Sequence, residues 1–142
     1  MTVKIFTRIL VAYDGSAAAE RAFDHAIDLA ARYEARLDVA AVIDAPEFTG
    51  REELPGWLEA RRSRHAGQFQ ALRKRAARSN VIPLCDTLVG EPSGQIVRRA
   101  AELQSDLIVI GHRDLGTVQR WLAGSVARAV LDDTRCAVLV VR

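Results

Sequence analysis

Gly111, Asp114, Gly124 and Ser125 lie at and beyond the end of the clearest strand-like run of the chain, "DLIVIG" (106–111), and their types suit a cradle for an anion. Glycine permits positive φ and close backbone approach, and a serine just inside a helix start offers a hydroxyl beside unpaired N–H groups. This is phosphate-binding chemistry without a lysine. It is not the Walker A pattern, because no Gly-Lys-Ser/Thr follows. Asp114 works against it: a carboxylate roughly 4 Å from a phosphate charge meets repulsion on the order of 4 kcal/mol at an effective dielectric near 20. A bound Mg²⁺, a cation from His112 or Arg113, or an outward-pointing Asp114 with Gly116 supplying flexibility would each relieve it.

Other candidates sit where apolar runs end. Asp14, in "YDGS" (13–16), reads first as a turn residue that hydrogen-bonds the start of a helix. With Asp44 and His112 it makes up the titratable groups expected to gather at strand ends. No Ser-His-Asp or Cys-His arrangement is legible, so the expected role is binding, not catalysis. Cys85 and Cys136 lack the spacing of a zinc set and read as structural thiols. Residues 61–78 hold Arg61, Arg62, Arg64, Arg73, Lys74, Arg75 and Arg78 with no acid. Phosphate contact is conceivable there, but Phe69 is the sole aromatic in the run and faces the expected core, so no base-stacking platform forms. Nucleic acid is not the expected partner.

These residues need a scaffold, and the sequence alternates short apolar runs with amphipathic ones. "RILVAY" (8–13), "RLDVAAVID" (36–44), "IPLCDTLVG" (82–90), "DLIVIG" (106–111) and "CAVLVVR" (136–142) read as strands. Between them, helices are expected to about residue 34 from a cap at Ser16, then over about 56–79, 92–104 and 122–133. Phe23, Ala26, Ile27 and Ala30 mark the buried stripe of the first helix; Leu58, His65, Phe69, Leu72 and Ala76 mark that of the second. Residues 45–55, with two prolines and three carboxylates, form a loop. The order β-α-β-α-β-α-β-α-β implies an α/β fold with a parallel sheet, whose ligands bind beyond the carboxyl ends of the strands.

The 142 residues make one domain, 1–142, with 49% apolar and 27% charged residues and a net charge of +2. No run is long enough for a membrane helix, and residues 1–13 lack a signal-peptide core, so the expected location is the cytoplasm.

The segments "ILVAYDGS" (9–16), "VID" (42–44), "GEPSGQIVRRAAELQSDLIVIGHR" (90–113), "GSVARAVL" (124–131) and "CAVLVVR" (136–142) together resemble the universal stress protein (UspA) family. The nucleotide-binding pattern of that family is G-x-x-G, nine residues, G-S/T, and the spacing from Gly111 to Gly124-Ser125 agrees. The resemblance implies a Rossmann-like five-stranded parallel sheet, of the adenine nucleotide alpha hydrolase type, in strand order 3-2-1-4-5. It implies an adenine nucleotide, ATP or another, with Mg²⁺ as an accompanying ion, and a signalling or stress-response role. Asp14 would meet the ribose, Ala12 and Val42 the adenine, and Gly111, Gly124, Ser125 and Val126 the phosphates, with Ile110 beside them. Asp114 stands where the family pattern has its second glycine. The alternatives are an interaction protein whose site has lost nucleotide, or a slow ATPase. Many members dimerise through their last strand, here 136–142.

Overall fold

A computed structural model describes residues 3–44, 53–112 and 120–142, except the side chains of 120–125. Five strands and four helices alternate: β1 (Arg8–Ala12), α1 (Ala17–Tyr33), β2 (Arg36–Ile43), α2 (Leu54–Ala77), β3 (Leu84–Val89), α3 (Pro92–Leu103), β4 (Leu107–Gly111), α4 (Arg120–Asp133) and β5 (Ala137–Val141). The strands form one parallel sheet in the order β3-β2-β1-β4-β5, the α/β architecture expected from the sequence.

Burial explains the apolar runs. β1 and β4 lie inside the sheet and are covered on both faces, so Ile9, Leu10, Val11, Ile108 and Val109 are all fully buried. Their side chains alternate between two cores. Ile9 and Val11 join Phe23 and Ile27 of α1 and Phe69 and Leu72 of α2, while Leu10 and Ala12 join Ile96 of α3 and Val130 of α4. Each such apolar side chain contributes about 1.5–3 kcal/mol by leaving water.

The edge strands differ. Pro83 precedes β3, which starts at Leu84 and forms one edge, where a missing N–H costs no ladder bond. β5 forms the other edge. The stripe expected on α2 is only partly buried: Phe69, Leu72 and Ala76 are in the core, whereas Leu58 and His65 are half-buried. His65 Nδ1 lies 3.1 Å from the Thr87 hydroxyl, so a polar contact replaces apolar packing there. Among the described residues no helix is long and apolar enough to cross a membrane.

Candidate functional site

β1 pairs with β2 on one side and β4 on the other, and the connections leaving its neighbours diverge. That reversal of strand order opens a cleft beyond the carboxyl ends. It has a volume of about 410 Å³, in the range of small-ligand sites. Ala12 and Ala40, level with each other in the β1–β2 register, keep its floor low. Ile96 of α3, Ile110 of β4 and Val126 of α4 supply apolar walls, and Asp14 and Asp44 place carboxylates at its rim.

The β1–α1 turn is tightly determined. The Tyr13 N–H donates to the Ala40 carbonyl (2.9 Å), carrying the β1–β2 pairing one residue past Ala12. Asp14 Oδ1 accepts from the Ser16 N–H (3.0 Å), Gly15 takes φ +80°, and Ser16 Oγ accepts from the Ala19 N–H (3.1 Å) as the cap of α1. Asp14 therefore braces the turn, as its bland sequence reading holds, and also lines the cleft. Tyr13 turns its ring to the α1–α2 core and donates its hydroxyl to Glu20 Oε1. Burial and the adjoining Glu20 carboxylate hold this phenol well above its ordinary pKa, so it stays a donor.

Gly111 has a specific steric reason. A β-carbon there would fall 2.5 Å from the carbonyl carbon of Ala18 and 2.7 Å from the Ala19 nitrogen. The amino end of α1 thus occupies the space a side chain would need, and Gly111 lacks positive φ. The close approach that glycine permits at this position is to the protein's own backbone.

Of the residues expected to bind a ligand, Ala12, Asp14, Val42, Ile110, Gly111 and Val126 all line the cleft. Asp114 lies outside the described residues, as do Arg113 and Gly116 and most of the 45–55 loop. α4 is described from Arg120 onward, so Gly124 and Ser125 lie on that helix. His112 directs its N–H to the Val141 carbonyl (2.7 Å), continuing the β4–β5 ladder. Sequence reasoning missed Tyr13, Ala19, Ala40, Pro92 and Ile96 as cleft residues and named Asp44 only as a strand-end group. Ala40 was within reach of pattern alone, since it shares a sheet face with Val42.

The basic run of α2 is not one uniform surface. Arg75 bonds Glu20 and Asp24 of α1, and Arg61 stacks over Trp57 at 5.2 Å. Burial and the nearby Arg61, Arg64 and Arg62 push the His65 pKa down. Among the described residues, no group of three side chains suited to hold a metal forms, and Cys85 and Cys136 are free thiols.

The model of the universal stress protein family matches residues 6–142. The chain belongs to the universal stress protein family. A relative from Staphylococcus haemolyticus, itself named a universal stress protein, is 35% identical over 140 residues, covering 96% of this chain and 85% of its own. Universal stress protein UspA from Lactobacillus plantarum superposes with a TM-score of 0.86 at 28% identity, over 96% of this chain and 98% of that one. A universal stress protein solved in complex with cAMP gives a TM-score of 0.72 at 26% identity, covering 96% and 97% of the two chains. One from Archaeoglobus fulgidus in complex with dAMP gives 0.66 at 26%, covering 97% and 99%. The strand order that builds the cleft matches that of the UspA structure.

Proposed function

We propose that this universal stress protein binds an adenine nucleotide in the cleft beyond β1, β2 and β4 and signals through its occupied state, as a cytoplasmic stress-response domain. The observation that carries this reading is the convergence of Ala12, Asp14, Val42, Ile110, Gly111 and Val126 on one cleft at the strand-order reversal. A flat apolar base suits the Ala12–Ala40 floor and the Ile110 wall, and an acceptor-only carboxylate at Asp14 suits ribose hydroxyls. The relatives solved with cAMP and dAMP support an adenine ligand of this class.

The described lining holds Asp14 and Asp44 and no lysine or arginine. ATP would therefore enter with Mg²⁺ held chiefly by its own phosphates, since Mg²⁺ needs only one or two carboxylates and keeps its waters. Gly124, Ser125 and the first-turn N–H groups of α4 would meet the phosphates. The proposed role is binding; slow hydrolysis is tested by phosphate release that disappears in Asp14→Ala.

One observation favours a second reading, an interaction protein of the same fold that has lost nucleotide. Gly111 is already required by the approach of α1, so its presence does not by itself testify to a phosphate cradle. Mass spectrometry of co-purified small molecules, with calorimetric titration of ATP and AMP, separates the two. An adenine nucleotide bound to the unmodified chain supports the first reading. Binding that arises only in Asp114→Gly establishes the second.

A further inference from the structure

The residues on either side of Asp14, Tyr13 and Gly15, are each backed by α2, a helix outside the described cleft lining. On one side of Asp14 in the chain, the Tyr13 hydroxyl donates to Glu20 Oε1, and the other carboxylate oxygen of Glu20 accepts from Arg75 of α2. The same guanidinium donates to Asp24 and to the Glu20 carbonyl (3.4 Å) and lies 5.2 Å from the centroid of the Phe23 ring. On the other side, a β-carbon on Gly15 would fall 2.8 Å from Gln68 Nε2, so the Gln68 carboxamide fills the space beside the turn. Gln68 and Arg75 are seven residues apart, two turns along one helix face. A planar, forked cation can engage two carboxylates and an aromatic face at once, which a lysine ammonium cannot.

We propose that Arg75 is a positioning residue for the cleft: acting through Glu20 and the Tyr13 hydroxyl, it fixes the orientation in which Asp14 meets the sugar hydroxyls of the ligand. The inference rests on the nucleotide reading above and adds to it a residue remote from the ligand. The basic run of α2 thus contains one cation with an internal task. Without it, Glu20 loses its charged partner, Tyr13 loses the oriented acceptor for its hydroxyl, and the turn between Tyr13 and Gly15 gains rotational freedom.

The test compares AMP with 2′,3′-dideoxy-AMP, which lacks the hydroxyls that Asp14 would accept. The unmodified protein should bind AMP on the order of tenfold or more tightly than the dideoxy ligand, the worth of a hydrogen bond to a charged group. In Arg75→Gln the AMP affinity should fall toward that of dideoxy-AMP while the latter stays within about twofold. Tyr13→Phe keeps the ring packing, removes only the hydroxyl bond, and should give the same collapse should Arg75→Gln fold poorly. Asp14→Asn should abolish the preference, and adding Arg75→Gln to it should change nothing further. A merely structural role would weaken both ligands alike, and that result, or an unaltered ratio in both variants, overturns the inference while leaving the nucleotide reading in place. Failure of the unmodified chain to bind either ligand overturns both.

Discussion

Gly111 answers a steric demand of the fold. Its missing side chain lets α1 approach the end of β4, and the atoms in the way of a β-carbon are backbone, which cannot rotate aside. Gly111→Ala should therefore cost about 2–3 kcal/mol in urea unfolding, with or without nucleotide, as overpacking does. A loss confined to nucleotide affinity would contradict that account. Glu91 makes a second residue-scale case, because a glutamate stands where Ser, Thr, Asp or Asn usually caps a helix. Its carboxylate accepts from Ser93 Oγ (2.7 Å) and from the Gly94 N–H (2.7 Å), and these bonds hold its pKa below the ordinary value of 4.5. Because folding lowers the pKa, this stabilisation is present above the unfolded value and disappears as pH falls through the folded one. Glu91→Ala should cost about 1 kcal/mol at pH 7. In denaturation curves taken at successively lower pH, its gap from the parent should narrow below the unfolded value; a constant gap would show that the charge is not what caps α3.

Among elements, β5 and α2 carry the most interpretable surfaces. The Val141 carbonyl accepts from His112, so alternate residues of β5 face β4, and Val138 and Val140 turn their N–H groups to the open edge. Val138, Leu139 and Val140 are only half-buried. An apolar open edge of this kind is an aggregation hazard unless covered, which is the physical case for the dimer that the family resemblance implies through strand 136–142. Val140→Pro removes one outward N–H and spares the β4 ladder, so sedimentation should show a dimer for the unmodified chain and a folded monomer for the variant. A variant that still dimerises would move the interface elsewhere. The length of α2 was readable from sequence, but its docking was not. His65 has helical spacing with Phe69 and Leu72, yet Thr87 draws it into a polar contact because that strand-edge position is only half covered.

For the molecule as a whole, a ligand that binds only the folded chain raises stability by linkage. At a hundredfold excess over Kd the gain is about 2.7 kcal/mol, enough to raise Tm by several degrees in a chain of this size. Thermal melts with millimolar ATP and Mg²⁺ should show that rise, and its absence would count against the nucleotide reading. Much of the architecture behind this prediction was legible in the residues themselves. Apolar runs bounded by Asp14-Gly15-Ser16 or Gly111, and amphipathic stretches such as Phe23 to Ala30, announce strands and helices because periodicity is written locally. Their alternation then leaves little choice but a parallel sheet with its cleft at the carboxyl ends. Tertiary structure alone decided what meets there. Pro92 and Ile96 close the cleft from a helix that the binding motif does not include, and the backbone of Ala18 fills the space beside Gly111. Arg75 reaches Glu20 across 55 positions of sequence. Such contacts depend on how distant segments pack, and no local period encodes them.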